Sequence, residues 1–313
     1  MIHTRGLTRV FKAKKVTVDA VRGIDLDVER GQLVAFLGPN GAGKSTTLRM
    51  LTTLLPATSG TALVAGRDVR RDPGGVRGRI GYVGQKNSAG ENFRVRDELV
   101  TQGRCYGLTA RQAAGRADEL LDLLDLAPLA ARKPGTLSGG QRRRLDIALG
   151  LIHRPDLLFL DEPSTGLDPK SRADIWSHIL RLRETYGTTL FLTTHYLEEA
   201  DSMAERVVII DNGRIIADGT AEQLKNDLAG DHITVTTTTV QEAATAARLA
   251  DAEPDGTTVR FRVPNAAAAL PEYLRALEQA GVKAATAETT RPTLDDVFLT
   301  LTGRSLTDDD IPA

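Results

Sequence analysis

The segment Gly38-Pro39-Asn40-Gly41-Ala42-Gly43-Lys44-Ser45 has glycines at its first and sixth positions, followed by a lysine and a hydroxyl residue. That is the G-x-x-x-x-G-K-[ST] spacing of a phosphate-binding loop. Such glycines let backbone N–H groups curl round phosphate oxygens, at the positive end of the helix that follows. Lys44 is expected to reach the β- and γ-phosphates and Ser45 to place a hydroxyl on Mg²⁺, with Thr46 closing the set of nucleotide-holding residues. A chance glycine-rich turn would need no particular context. This one follows an apolar run, Leu33 to Leu37, and opens a stretch of helical spacing, which is the context phosphate binding requires.

A second apolar run, Leu157 to Leu160, ends in Asp161-Glu162. Asp161 suits a carboxylate that holds Mg²⁺, and Glu162, one residue on, can polarise an attacking water. Adjacent acids at a strand end are ordinarily a solvated turn. Here the buried run before them and the phosphate loop upstream favour the catalytic reading.

Between these two motifs, Leu137-Ser138-Gly139-Gly140-Gln141 opens another helical stretch. With this order of motifs the chain resembles the ABC-family ATPases, whose signature sequence those five residues match letter for letter. The resemblance implies an α/β fold: a P-loop ABC ATPase domain with a mixed sheet core, an antiparallel β subdomain and a helical subdomain. It also implies a homodimer in which Ser138, Gly139, Gly140 and Gln141 of one subunit contact ATP on the loop of the other. Gln85, after the strand Ile80 to Gly84, resembles the glutamine that senses Mg²⁺ and links to a membrane partner. Thr165-Gly166-Leu167-Asp168 resembles the D-loop, and His195 resembles the switch histidine that joins Glu162 in catalysis. His3, His153, His178 and His232 are read as structural. Phe11 stands where the family often has a tyrosine stacked on adenine, although a core position suits it as well.

A narrower resemblance rests on Thr194-His195-Tyr196-Leu197-Glu198-Glu199-Ala200-Asp201 and on Arg291-Pro292-Thr293-Leu294-Asp295-Asp296-Val297-Phe298-Leu299. Both are similar to ATP-binding subunits of daunorubicin-resistance-type drug exporters. This implies an ATP-hydrolysing subunit that energises a separately encoded, multi-span membrane permease through ATP-driven dimer closure. The cargo would be drugs, antibiotics or other hydrophobic compounds, and the subunit would sit at the cytoplasmic face of the membrane through its permease. The competing expectation is a soluble ABC ATPase uncoupled from transport. Translation-type members carry two cassettes, whereas one phosphate loop is present here. Chromosome-type members separate the two ATP motifs by a long coiled coil, for which Lys44 and Asp161 lie too close.

These side chains need elements to hold them. Val16 to Val18 and Ile24 to Val28 read as strands, and Lys44 to Leu55 as a helix with Leu48, Leu51 and Leu55 on one face. From Val95 to Ala131 the spacing predicts helix, as it does from Lys170 to Tyr186, with a strand at Thr188 to Thr193. Val207 to Asp211 and Arg214 to Ala217 flank Asn212-Gly213, a two-residue hairpin signal. Arg142-Arg143-Arg144 reads as a solvated helical face.

Composition shifts near Asn226. Beyond it come a strand (Ile233 to Thr239), a helix (Gln241 to Ala250), a strand (Thr257 to Val263), a helix (Ala266 to Ala280), a strand (Val282 to Glu288) and a short helix from Leu294, an order that is not fully symmetric. The expected division is an ATPase domain over 1–226, a small accessory α+β domain over 227–304 and a flexible acidic tail over 305–313. The formal charge is −1, so no basic field draws in nucleic acid. One cysteine, Cys105, excludes an intramolecular disulfide. The N-terminus lacks a signal-peptide core, and no run approaches the roughly 18 to 20 apolar residues that span a bilayer. Any membrane role therefore falls to a partner.

Overall fold

Ile2 and Thr4 are buried while His3 and Arg5 between and beyond them are exposed, the alternation of a strand with one wet face. The computed structural model, which describes residues 1–13 and 16–303, accordingly opens on β1 (Ile2–Ala13), paired antiparallel with β2 (Val16–Val28). The tail expected over 305–313 lies outside the described residues. Sequence reading assigns nothing to 1–13 and splits β2 in two. In β1 the cause is a register shift between Thr4 and Leu7, at Gly6 with φ 55°, which moves the buried positions from even to odd numbers. In β2 the buried positions change from odd to even between Val21 and Ile24, across Gly23 with φ 90°. A period-2 pattern is lost across such a bulge.

β3 (Leu33–Leu37) is buried at every position because it lies between two parallel neighbours. It feeds α1 (Lys44–Leu51), then β4 (Ser59–Val64), β5 (Arg67–Asp68), α2 (Pro73–Arg77) and β6 (Ile80–Val83). The first sheet has the order β2-β1-β4-β5. Next come α3 (Val95–Cys105) and α4 (Ala110–Leu123), where spacing alone predicts one continuous helix. Gly107, with φ 86°, ends α3 in a left-handed turn, and Thr109 with Gln112 forms the capping box that starts α4.

α5 (Gly139–Leu151), β7 (Leu157–Asp161), α6 (Pro169–Tyr186), β8 (Thr189–Thr194), α7 (Leu197–Met203), β9 (Arg206–Asp211) and β10 (Arg214–Gly219) complete the first unit. The central sheet has the order β10-β9-β3-β8-β7-β6, with parallel pairs from β9 to β6. Asn212 and Gly213, at φ 47° and 76°, make the β9–β10 hairpin turn that the dipeptide signals. Val34, Phe36, Phe159, Phe191 and Val208 pack this sheet's core. Each such side chain contributes about 1.5–3 kcal/mol on burial. The sheet can therefore hold loops rigidly at the carboxyl ends of β3, β6, β7 and β8, where the motifs stand.

Packing divides the chain between Asp218 and Gly219. The second unit contains α8 (Ala221–Leu224), β11 (Asp231–Thr237), α9 (Val240–Leu249), β12 (Pro254–Asp255), β13 (Thr258–Val263), α10 (Ala266–Gln279), β14 (Ala284–Thr290) and α11 (Leu294–Thr302). Its sheet has the order β12-β13-β11-β14, all antiparallel, so the connectivity is βαββαβ. The missing symmetry in the sequence is β12, too short at two residues to leave a pattern. Val297 and Phe298 are buried in α11, which packs against α8, while Leu299 is exposed. Among the described residues no helix is long and apolar enough to cross a membrane.

Candidate functional site

The loop between β3 and α1 is clamped by backbone on two sides. A Cβ on Gly38 would stand 2.2 Å from the Ile210 carbonyl oxygen, and one on Gly43, where φ is 107°, 2.5 Å from that of Ala20. Ala42 O accepts from the N–H of Gly213, so the β9–β10 turn supports the loop from behind. The glycines thus serve close approach to the protein as well as room for phosphate. A cavity of about 210 Å³ opens here, lined by loop residues from Pro39 to Thr46 together with Ala20, Gln85 and Glu162. Lys44 Nζ, 4% exposed, donates to the carbonyls of Gly38 and Pro39 and lies 3.7 Å from Glu162 Oε1.

Residues far apart in sequence converge on this cavity. Ser45 Oγ donates to Asp161 Oδ1 at 3.0 Å, and Gln85 Nε2 donates to Ser45 Oγ at 3.5 Å. Asp161 Oδ2 is buried and has no hydrogen-bond partner among the described residues. A buried carboxylate oxygen left so is costly, and a hard cation would satisfy it. Glu162 follows the end of β7 in left-handed backbone, φ 48°, a conformation that costs about 1–3 kcal/mol for a non-glycine residue. Its N–H donates to the Thr193 carbonyl at 3.2 Å and to Thr193 Oγ1 at 3.1 Å, which offsets that strain. His195 Nδ1 lies 3.5 Å from Glu162 Oε1. Burial pushes the Glu162 carboxyl upward, yet the adjacent His195 imidazole and the charge of Lys44 outweigh it. The group ends below its ordinary range and stays ionised.

Ser138 to Gln141 stand elsewhere and contribute nothing to that cavity's lining. Ser138 caps α5 by a reciprocal capping box: the Gln141 N–H donates to Ser138 Oγ, and Gln141 Oε1 accepts from the Ser138 N–H. Ser138 and Gly139 are exposed, so a helix N-terminus with free donors faces outward. Gly140 lets the D-loop helix approach: its Cβ would lie 3.0 Å from Ser171 Oγ. Phe11 is 37% exposed on β1, outside the cavity lining, with the Arg9 guanidinium 4.6 Å over its ring.

Two residues of this site leave little signal in the sequence. Thr193 Oγ1 donates to Asp161 Oδ1 at 2.7 Å besides accepting from Glu162, and its one signal is the threonine doublet before His195. Arg143 is buried, which corrects the reading of Arg142-Arg143-Arg144 as a solvated face. Consecutive helical residues point about 100° apart, so three in a row cannot share one face. Arg143 donates to the carbonyls of Gly84, Pro163, Asp161 and Glu162 at 2.6, 2.7, 3.2 and 3.3 Å. It ties the signature helix to the strand ends that carry Gln85 and the two acids.

Comparison with known proteins identifies the family. Residues 21–165 match the ABC transporter family, and residues 219–302 match the family described as ATP-binding protein DrrA1-3-like, C-terminal domain. The daunorubicin resistance ATP-binding protein DrrA3 of Streptomyces coeruleorubidus is 45% identical over 91% of this chain and 91% of its own. The daunorubicin/doxorubicin resistance ATP-binding protein DrrA of Streptomyces peucetius is 43% identical over 98% and 94%. Among solved structures, the ATP-binding cassette MJ0796, described as a dimer in a post-hydrolysis state bound to ADP and Pi, superposes with a TM-score of 0.65 at 25% identity. The match covers 70% of this chain and 98% of that one.

Proposed function

The chain belongs to the ABC transporter family of ATP-binding proteins, in its daunorubicin-resistance branch, and it binds and hydrolyses ATP; on that premise we propose how its residues divide the work and what the work serves. Residues Gly38 to Thr46 hold the phosphates, with Lys44 neutralising charge on the β–γ bridge. Ser45, Gln85 and Asp161 hold Mg²⁺, a reading supported by the buried, unpartnered Asp161 Oδ2. When bound, Mg²⁺ neutralises charge that develops on the phosphate oxygens. Glu162 orients the attacking water and accepts its proton, and His195 fixes the Glu162 carboxylate. Phe11 offers its ring to adenine. The observation that carries this reading is Glu162 Oε1 held between Lys44 at 3.7 Å and His195 at 3.5 Å, at the mouth of the phosphate loop.

Ser138 to Gln141, of which Ser138 and Gly139 are exposed, complete the site of a second copy, so hydrolysis requires a homodimer. That exposure and their absence from their own chain's cavity support this. The subunit energises a separately encoded multi-span permease and sits at the cytoplasmic membrane face through it. Its cargo is a drug, an antibiotic or another hydrophobic compound, as the daunorubicin-resistance names of its relatives suggest. The unit from Gly219 onward is an accessory domain. Those transporter names weigh against an ATPase uncoupled from transport. Membrane vesicles carrying this chain and its co-purifying permease test the reading. ATP-dependent daunorubicin movement, lost in Glu162→Gln, is expected. Failure to co-purify with any membrane protein would overturn it.

A further inference from the structure

Glu199 lies in the stretch Thr194 to Asp201 that carries the narrower resemblance, yet no step proposed above uses it. It stands in the first turn of α7 and is 5% exposed. Both oxygens are engaged. Oε1 accepts from Ser164 Oγ and lies 3.8 Å from Arg172 Nε, while Oε2 accepts from Thr194 Oγ1 at 3.0 Å. Thr194 Oγ1 itself accepts from the Tyr196 N–H at 2.9 Å, so this one hydroxyl braces both neighbours of His195. Ser164 stands just beyond Glu162, at the start of the segment leading to Asp168. The Arg172 guanidinium also covers Tyr196, 4.0 Å from its ring centroid, and that ring lies 4.2 Å from the His195 ring.

From this arrangement we infer that Glu199 is a positioning residue for ATP hydrolysis, joining the chain after Glu162 to the turn that carries His195. It does not line the phosphate-loop cavity, and its oxygens are taken, so it neither binds nucleotide nor activates water. A buried carboxylate is expensive unless fully hydrogen-bonded. Two hydroxyl donors and a nearby guanidinium supply that compensation, and both hydroxyls belong to segments flanking the Glu162–His195 pair. Because one carboxylate bridges them, displacement of the Ser164 to Asp168 segment is transmitted to His195. The inference rests on the roles proposed for Glu162 and His195.

Steady-state ATP hydrolysis and equilibrium nucleotide binding on the full chain test it. Glu199→Ala is expected to lower kcat about 10- to 100-fold, the scale of a misplaced catalytic group. The KM and Kd for ATP should stay within about twofold, as for an interaction used only in the transition state. Glu199→Gln keeps the shape and can still meet both hydroxyls once one of them reverses its bond, so most of the rate should return. Adding His195→Ala to Glu199→Ala should cost much less than it costs alone, since both act through one contact. Ser164→Ala removes one bond to Glu199, and Thr194→Val removes the other together with the bond from the Tyr196 N–H. Both should show a weaker form of the same kcat loss and cover the case in which Glu199→Ala does not fold. Full additivity with His195→Ala, or an unchanged kcat in Glu199→Ala or in both hydroxyl variants, would overturn the inference. Glu162→Gln measured alongside separates the two levels. If it hydrolyses ATP normally, the parent assignment falls and this one with it; if it is inactive while Glu199→Ala is unimpaired, only this inference falls.

Discussion

The Lys44 ammonium and the Glu162 carboxylate stand 3.7 Å apart with 4% and 9% of their side-chain surface exposed. Neither is satisfied by the other alone: Lys44 also reaches two loop carbonyls, and Glu162 also faces His195 and accepts from Thr165 Oγ1. Removing one member of such a buried pair strands the other, at about 3–5 kcal/mol. Conservative and truncating changes should therefore behave differently here.

Glu162→Gln preserves shape and hydrogen bonding but loses the acceptor charge. ATP affinity should persist, while kcat falls at least about 100-fold, the scale of general-base catalysis. The variant should accumulate as an ATP-bound dimer, read as doubled mass by light scattering. Near-normal turnover would remove Glu162 from the role assigned to it.

Lys44→Ala and signature substitutions should separate binding from closure. Lys44→Ala should weaken nucleotide binding directly, because its cation aims at the phosphates. Ser138→Ala loses a helix cap worth about 1 kcal/mol and should leave binding to a single subunit intact. Hydrolysis should nonetheless drop, as it should in Gly139→Asp. Titration calorimetry under monomeric conditions decides: equal loss of ATP affinity in all three would contradict a site shared between two subunits.

Two loop glycines should respond unequally to alanine. At Gly38 the new Cβ would meet the Ile210 carbonyl oxygen at 2.2 Å, a backbone atom in a sheet strand that cannot move away. At Gly41 nothing lies within 4 Å, and only the left-handed backbone, φ 81°, opposes the change by about 1–2 kcal/mol. Thermal unfolding should show Gly38→Ala much the more destabilised. The reverse order would mean that the loop does not pack against β9 as described.

Glu119 makes stability depend on pH. Burial pushes its carboxyl up, but Arg116 and the Tyr186 hydroxyl, with Arg154, bring it down to about 2. A folded-state value below the unfolded one, about 4.3, contributes stability that is fully present above the latter. That contribution is lost as pH falls toward about 2. Urea unfolding of wild type and Glu119→Gln should therefore differ most at neutral pH and converge between about pH 4 and 2. A constant gap across that window would show that the charge of Glu119 contributes nothing.

Much of the site was legible because its requirements are local. A loop that wraps phosphate needs glycines at set positions before a helix, and Gly38, Gly43 and Lys44 satisfy that within a few residues. The hairpin at Asn212-Gly213 and the capping pair Ser138 with Gln141 are likewise short-range, set by backbone angles and by one turn of helix. The C-terminal strands and helices showed through for the same reason, except the four-residue α8 and the two-residue β12, which are too short to carry a period.

Local spacing thus carried the nucleotide chemistry, the order of the motifs and the family, since each rests on neighbours along the chain. Long-range pairing and packing alone set where β1 changes phase at Gly6 and turned Arg143 inward. Only the tertiary structure brought Thr193 to Asp161, Arg143 to Gly84 and Glu199 to Ser164, pairs 32, 59 and 35 residues apart. The physical reason is one of range: a buried polar group must find its partner wherever the fold places one. Spacing along a single element records which face is buried, but it carries no trace of what waits on the other side.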